Sequence, residues 1–364
     1  MGSGTNEWDN TTEKNKIMAF GSSDDNFVTF NFAYAELIIS RLPAQNVEQM
    51  SFLIERIQKY VEEPTPGWWR NKVLIMADDE NKDGGLEGIV GPSMNHTLLA
   101  QQTGDLLSRG VYVDKVLGLE YSFDEYNNKP DARNELIRRV NQGRLVWYYI
   151  GHGNPDVLGD EDYFRASEHL RLLENIDHLP FFIAASCSVG EFDSPNFDCM
   201  AERLLFVEDG GSIASLAASR SCSGSANTSI MKECLEKLVN DRENLGNSVY
   251  AGKLLTNYIP TSRLYNLLGD PVIFVVPPER TGSISNIPDS IRARQTISIN
   301  GDFDTDMQAY LDGEIRVFDT EYDIHYTNTL NEQVYSVDYT KNGSSFFTGY
   351  IEISNGTYDA SFIV

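Results

Sequence analysis

The chain is poor in most of the features that announce a function quickly. Only four of its 364 residues are cysteine, Cys187, Cys199, Cys222 and Cys234, with no CxxC pair among them and no histidine at zinc-finger spacing. That pattern argues against a structural zinc site and against the dense disulfide framework of a small secreted domain, while leaving a single disulfide among the four open. Basic residues are scarce, 29 against 54 acidic ones, and the formal charge of −25 would repel nucleic acid or an acidic lipid surface. No run approaches eighteen apolar residues, and the start, Met1-Gly-Ser-Gly-Thr-Asn-Glu7, has no basic region followed by an apolar one. The expectation is a chain with neither a signal peptide nor a membrane span, its first residues reading as an expression remnant. Internal repeats and low-complexity segments are also lacking.

What is present is alternation. Between Phe27 and Val276, short apolar runs alternate with amphipathic stretches: Ala35-Glu36-Leu37-Ile38-Ile39, then 47–61, then Lys72-Val73-Leu74-Ile75-Met76, then 98–108. The series continues through Val111-Tyr112-Val113, a helical 132–142, Leu145-Val146-Trp147-Tyr148-Tyr149-Ile150 and Phe181-Phe182-Ile183-Ala184-Ala185. Strands alternating with helices of 10 to 15 residues predict an α/β fold with a mainly parallel sheet covered by helices. From about Gly282 the sequence turns to Thr, Ser, Asn and Asp with apolar residues at every second position, as in Glu314-Ile315-Arg316-Val317-Phe318. That period predicts a β-sandwich, separated from the first part by Pro277-Pro278. The expected division is 1–26 as a remnant with the end of a preceding subdomain, 27–277 as an α/β domain and 282–364 as an immunoglobulin-like sandwich.

Two of the apolar runs end in reactive residues, Ile150-Gly151-His152-Gly153 and Ala185-Ser186-Cys187. As buried parallel strands they would deliver His152 and Cys187 to the same sheet edge, where an imidazole can take the thiol proton and return it to a leaving amine. Glycines on both sides of His152 permit a sharp turn, and the Gly153 and Cys187 N–H groups are the natural oxyanion donors. Taken singly, each has an inert reading: a buried thiol, and a Gly-His-Gly turn. Their joint placement, 35 residues apart with helical sequence between, is what points to nucleophilic catalysis.

Tyr148-Tyr149-Ile150-Gly151-His152-Gly153 and Leu179-Pro180-Phe181-Phe182-Ile183-Ala184-Ala185-Ser186-Cys187 resemble the His and Cys motifs of the gingipain family. Ile39-Ser40-Arg41-Leu42-Pro43-Ala44 and Leu267-Leu268-Gly269-Asp270-Pro271 are similar to two further family signatures. The resemblance implies a caspase-like domain with Cys187 as nucleophile, His152 as base, the Gly153 and Cys187 amides as oxyanion hole, and no required cofactor. A narrower likeness, to the surface sortases of type IX secretion, rests on Phe192-Asp193-Ser194-Pro195, Ala201-Glu202-Arg203-Leu204-Leu205, Gly210-Gly211-Ser212-Ile213-Ala214 and Ser219-Arg220. Phe346-Phe347-Thr348-Gly349-Tyr350 and Ser354-Asn355-Gly356-Thr357-Tyr358 extend it into the tail. It implies a place on the extracellular face of a Gram-negative outer membrane. The implied partners are secreted cargo with C-terminal sorting domains and other secretion-system subunits. Asn154 replaces a further glycine of the sortases, and Cys199 and Cys222 stand where the family pattern has no cysteine.

Other residues leave alternatives open. Asp24 and Asp25, where the family places an acidic pair, either line the pocket for the residue before the cleaved bond, orient His152, or form a solvated loop. Glu191 either faces the cleft or caps a helix. Asp79, Asn81 and Asp83, with Gly84 sixth, resemble the opening of a calcium loop, but position twelve is Val90, so a plain acidic turn is the competing reading. His96, His169, His178 and His325 read as surface or core residues, and Trp147-Tyr148-Tyr149 as sheet packing.

Overall fold

The computed structural model describes residues 23–30, 35–79, 81–82, 85–86, 95–107, 111–222, 224–254, 259–275, 282–302, 310–330 and 333–363. The chain divides into two compact units, Met1–Pro277 with Tyr326–Val337, and Pro278–His325 with Asp338–Val364.

The first unit is built on a six-stranded sheet: β1 (Lys72–Ala77), β2 (Tyr112–Leu117), β3 (Val146–Ile150), β4 (Phe181–Ala185), β5 (Ala214–Ala218) and β6 (Tyr265–Leu268). Their order across the sheet is β6, β5, β4, β3, β1, β2, and every pairing is parallel except that of β6 with β5. Every residue of β1, β3, β4 and β5 is buried, as the near-continuous apolar runs require of a sheet covered on both faces. Trp147 does pack within the sheet layer, its ring edge-on to Phe164 at 5.3 Å and Phe182 at 4.8 Å.

The helices follow their local signals. Helix α1 (Val47–Glu62) is capped by Asn46, whose side chain accepts the Gln49 N–H at 2.8 Å. Helix α3 (Pro130–Asn141) starts with proline in its first turn, where the missing N–H costs nothing, and α2 (His96–Leu107) lies between β1 and β2 in the chain. The apolar run 35–39 forms no strand. Leu37 and Ile38 are exposed, and Arg41 meets the sheet, bridging to Leu268 of β6.

After β2 the chain crosses back to the other side of β1 to form β3, so the strand order reverses between β1 and β3. Such a switch point opens a crevice beyond the C-terminal strand ends. Three neighbouring strands, β1, β3 and β4, end there in register: Ala77 pairs with Ile150, and Ile150 with Ala185.

The second unit has a four-stranded antiparallel sheet of β7 (Thr296–Asp302), β8 (Tyr310–Phe318), β11 (Ser345–Ser354) and β12 (Thr357–Ile363), in the order β7, β12, β11, β8. Burial alternates along β7 with the period of two read in the sequence. Ile297, Ile299, Ile353, Tyr358 and Phe362 form its core. Strands β9 (Tyr322–Leu330) and β10 (Gln333–Lys341) make a separate two-stranded sheet whose residues are divided between the two units.

Candidate active site

His152 and Cys187 occupy equivalent places, each two residues beyond the last paired residue of its strand, on adjacent strands. Both are half-buried. The loop bearing His152 is held at both ends of that residue: its N–H donates to Asp78 Oδ2 at 2.8 Å, and its carbonyl accepts the Tyr149 hydroxyl at 2.6 Å and the Gly159 N–H at 2.9 Å. The flanking glycines are required by close approach. A side chain on Gly151 would overlap the Cβ of Asp78, and one on Gly153 would stand 2.5 Å from Ser186 Oγ. Gly153 forms an antiparallel bridge with Leu158 through the bonds from Asn154 N–H to Val157 O and from Gly159 N–H to His152 O. It therefore sits in the non-hydrogen-bonded position, with its own N–H turned away from Leu158.

On the other strand, the backbone turns sharply after the thiol. Ser188 takes a left-handed conformation, φ 55°, which a non-glycine residue adopts at a cost. The turn is tied to the continuation of β5: Ser188 N–H donates to Arg220 O at 3.3 Å, and Arg220 makes a two-pronged ion pair with Asp193 at 2.7 and 2.8 Å. Glu191 is half-buried in this turn, its N–H donating to Ser188 O at 3.1 Å.

Beneath the histidine loop lies a buried acidic cluster that no local pattern announced. Asp78, Asp79 and Glu161 bring carboxylate oxygens within 4.8 Å of one another, all buried. Burial, followed by the charges of Glu161 and Asp79, pushes Asp78 well above the usual carboxylate range. Burial and the Asp79 charge push Glu161 up to about 7. Three such acids cannot all ionise cheaply at this spacing. The cation that balances Asp79 is the buried ammonium of Lys129, which also donates to Gly118 O at 2.8 Å.

This geometry redraws several readings of the sequence. Asp24 accepts from Arg41 Nε at 2.9 Å, and both Asp25 oxygens take the Lys253 ammonium, at 2.6 and 2.7 Å. Both carboxylates are thus spent in buried ion pairs and neither orients His152. Asp24 instead lines a cavity of about 490 Å³ with Phe27, Arg41, Met50 and Glu202. Asp79 is turned inward onto Lys129, not outward as the first ligand of a calcium loop. Asn81 belongs to a two-residue ladder with Leu86, and Asp83 lies outside the described residues. His96, read as a bystander, has its ring edge-on to His152 at a centroid distance of 5.4 Å, and its Nδ1 lies 3.3 Å from Asp79 O. Its signal was only its position at the start of the helix after β1. Cys222 is the other residue the sequence left aside: its N–H points at Cys187 Sγ from 3.4 Å, and its own sulfur lies 3.3 Å from Ser186 O and 3.8 Å from the Tyr265 hydroxyl.

The mainly parallel sheet thus brings a histidine loop and a cysteine turn to one edge, at the ends of neighbouring strands. The model of peptidase family C25 matches residues 2–276, and the chain belongs to that family. No curated protein matches it. Among solved structures, it is similar to the complex of the RgpB pro- and mature domains of Porphyromonas gingivalis, at 18% identity over 93% of this chain and 73% of that one, with a TM-score of 0.58. The Arg-specific cysteine proteinase gingipain R (RgpB) is similar at 17% identity over 93% and 72% of the two chains, TM-score 0.58. A further protease structure gives 15%, 94%, 78% and 0.54 in the same terms. At these identities the likeness is one of fold, and the fold is the caspase-like one of the gingipains.

Proposed function

We propose that the chain is a cysteine endopeptidase that acts as a type IX secretion sortase, with Cys187 as nucleophile and His152 as general base. The observation that carries the chemistry is the register of β3 and β4, which sets Gly151-His152-Gly153 beside Ser186-Cys187 at one sheet edge. In this reading the His152 imidazole takes the Cys187 proton, and the thiolate attacks the carbonyl carbon of the scissile peptide. The negative charge on that oxygen is met by the N–H groups of Gly153 and Cys187, and the imidazolium then protonates the leaving amine. Water or an amine acceptor resolves the thioester, and the dyad needs no metal or organic cofactor.

The sortase assignment rests on resemblance in the segments around Asp193, Glu202, Gly210 and Arg220. It places the protein at the extracellular face of an outer membrane, acting on secreted cargo. Among the described residues no helix is long and apolar enough to cross a membrane. Co-incubation with a full-length cargo protein carrying a C-terminal sorting domain, read by intact and peptide mass spectrometry, tests it. A single cut at the junction before that domain supports the sortase reading. Cuts at many sites would assign a degradative peptidase, and an unlabelled Cys187 after exposure to a peptidyl electrophile would leave a scaffold without catalysis.

A further inference from the structure

The turn after β5 carries a second thiol directly to the first. Residues Ser219 to Cys222 extend β5 past the Cys187 turn, fixed there by the bond from Ser188 N–H to Arg220 O and by the ion pair of Arg220 with Asp193. At its end the Cys222 N–H lies 3.4 Å from Cys187 Sγ, and the Cys222 carbonyl 3.7 Å from the same sulfur. The Cys222 thiol itself reaches the Ser186 carbonyl and the Tyr265 hydroxyl. Both cysteines are half-buried thiols, whereas Cys199 and Cys234 are fully buried. Reagents in solvent therefore meet this pair first.

We propose that Cys222 is the resolving thiol for oxidised Cys187, so that a peroxide closes a reversible disulfide between them and switches the site off without destroying it. The proposal rests on Cys187 being the reactive thiol. The Cys187 thiolate attacks one oxygen of the peroxide. An S–O bond forms, the O–O bond breaks, and the departing hydroxide leaves as water, giving a sulfenic acid. The Cys222 sulfur then attacks the sulfenic sulfur. An S–S bond forms, the S–O bond breaks, and the hydroxyl leaves as water with the Cys222 proton. Two thiols and one hydrogen peroxide thus yield one disulfide and two waters. A dithiol reductant reverses the product by exchange.

The division of roles follows from the contacts. A backbone N–H aimed at Cys187 Sγ favours the anion there. The hydrogen bond with Cys187, followed by burial, holds the Cys222 thiol far above its ordinary value. With Cys187 as the nucleophile, the peroxide meets that sulfur first and Cys222 is the thiol that follows. Without a neighbouring thiol, a sulfenic acid advances to the sulfinic acid, which dithiols do not reduce.

The test treats the full chain with hydrogen peroxide, maps its tryptic peptides without reduction, and then measures iodoacetamide labelling of Cys187 before and after dithiothreitol. The expected result is a peptide linking Cys187 to Cys222 and nearly complete recovery of labelling after reduction. In Cys222→Ser and Cys222→Ala, Cys187 should instead gain two oxygens and recover less than about a tenth of its labelling. Absence of the linked peptide from the oxidised parent overturns the proposal irrespective of how the variants fold. If untreated Cys187 labels rapidly and no link forms, this inference alone fails. If untreated Cys187 labels no faster than Cys199, the nucleophile assignment fails with it.

Discussion

Replacing Asp78 should separate the support of the histidine loop from the chemistry it serves. In Asp78→Ala, the His152 N–H loses its 2.8 Å acceptor, a cost of about 1–3 kcal/mol for a donor left without a partner. The same change removes an acid that burial and its neighbours Glu161 and Asp79 make unfavourable, which offsets much of that cost. Net stability should therefore move by no more than about 2 kcal/mol. The loop gains no such compensation. Its two glycines give it wide backbone freedom once the clamp is lost, and an imidazole moved by about 1 Å loses on the order of 10²-fold in productive geometry. A thiol with an ordinary pKa of ~8.5 is only about 1% thiolate at about pH 6.5, which predicts a similar, roughly hundredfold, loss in alkylation of Cys187. Asp78→Asn keeps an acceptor oxygen and is neutral at every pH, so it should stay within about fivefold of the parent. The assay is the iodoacetamide rate at Cys187 at about pH 6.5, with circular dichroism and a urea midpoint alongside. A folded Asp78→Ala that alkylates at the parent rate would show that the loop is held by something else.

The remaining consequences concern the same cluster. Glu161 is raised in the folded chain from 4.5 to about 7, so between those values the folded state holds a proton that the unfolded state has lost. Stability should fall as pH rises through that window, and Glu161→Gln should flatten the fall and raise the melting temperature at pH 8 but not at pH 5. Parallel melting curves for the two proteins would contradict it. Lys129→Met leaves Asp79 buried without its ammonium and should cost about 3–5 kcal/mol, read as a lowered urea midpoint; a change under about 1 kcal/mol would mean that the ion pair contributes little.

The sequence disclosed what is written in periodicity. The runs 72–76, 146–150 and 181–185 read as buried parallel strands because both faces of that sheet are covered, and their ends pointed to His152 and Cys187. The helices at 47–62 and 130–141 were legible from an Asn cap and an initial proline. The run 35–39 misled, because apolar content without alternation or a neighbouring edge does not distinguish a strand from an extended segment laid along the sheet border. Nothing local marked Asp78, His96, Glu161 and Cys222 as partners of the two motifs. Their meeting depends on the crossover that sets β1 beside β3 and on the ion pair of Arg220 with Asp193, both products of tertiary packing. For the same reason Asp24 and Asp25, plausible from their place in the chain, proved to be held by Arg41 and Lys253.

The central claim, that His152 activates Cys187, is tested most directly by the pH dependence of a single reaction. Alkylation of Cys187 by iodoacetamide should be followed from about pH 5 to 9 in the parent and in His152→Ala. The account predicts a parent rate that stays high below pH 7, and a variant rate that follows one titration near the ordinary thiol value of ~8.5, slower by at least tenfold at neutral pH. Superimposable profiles in two folded proteins would contradict it, because they would show the thiol indifferent to the imidazole.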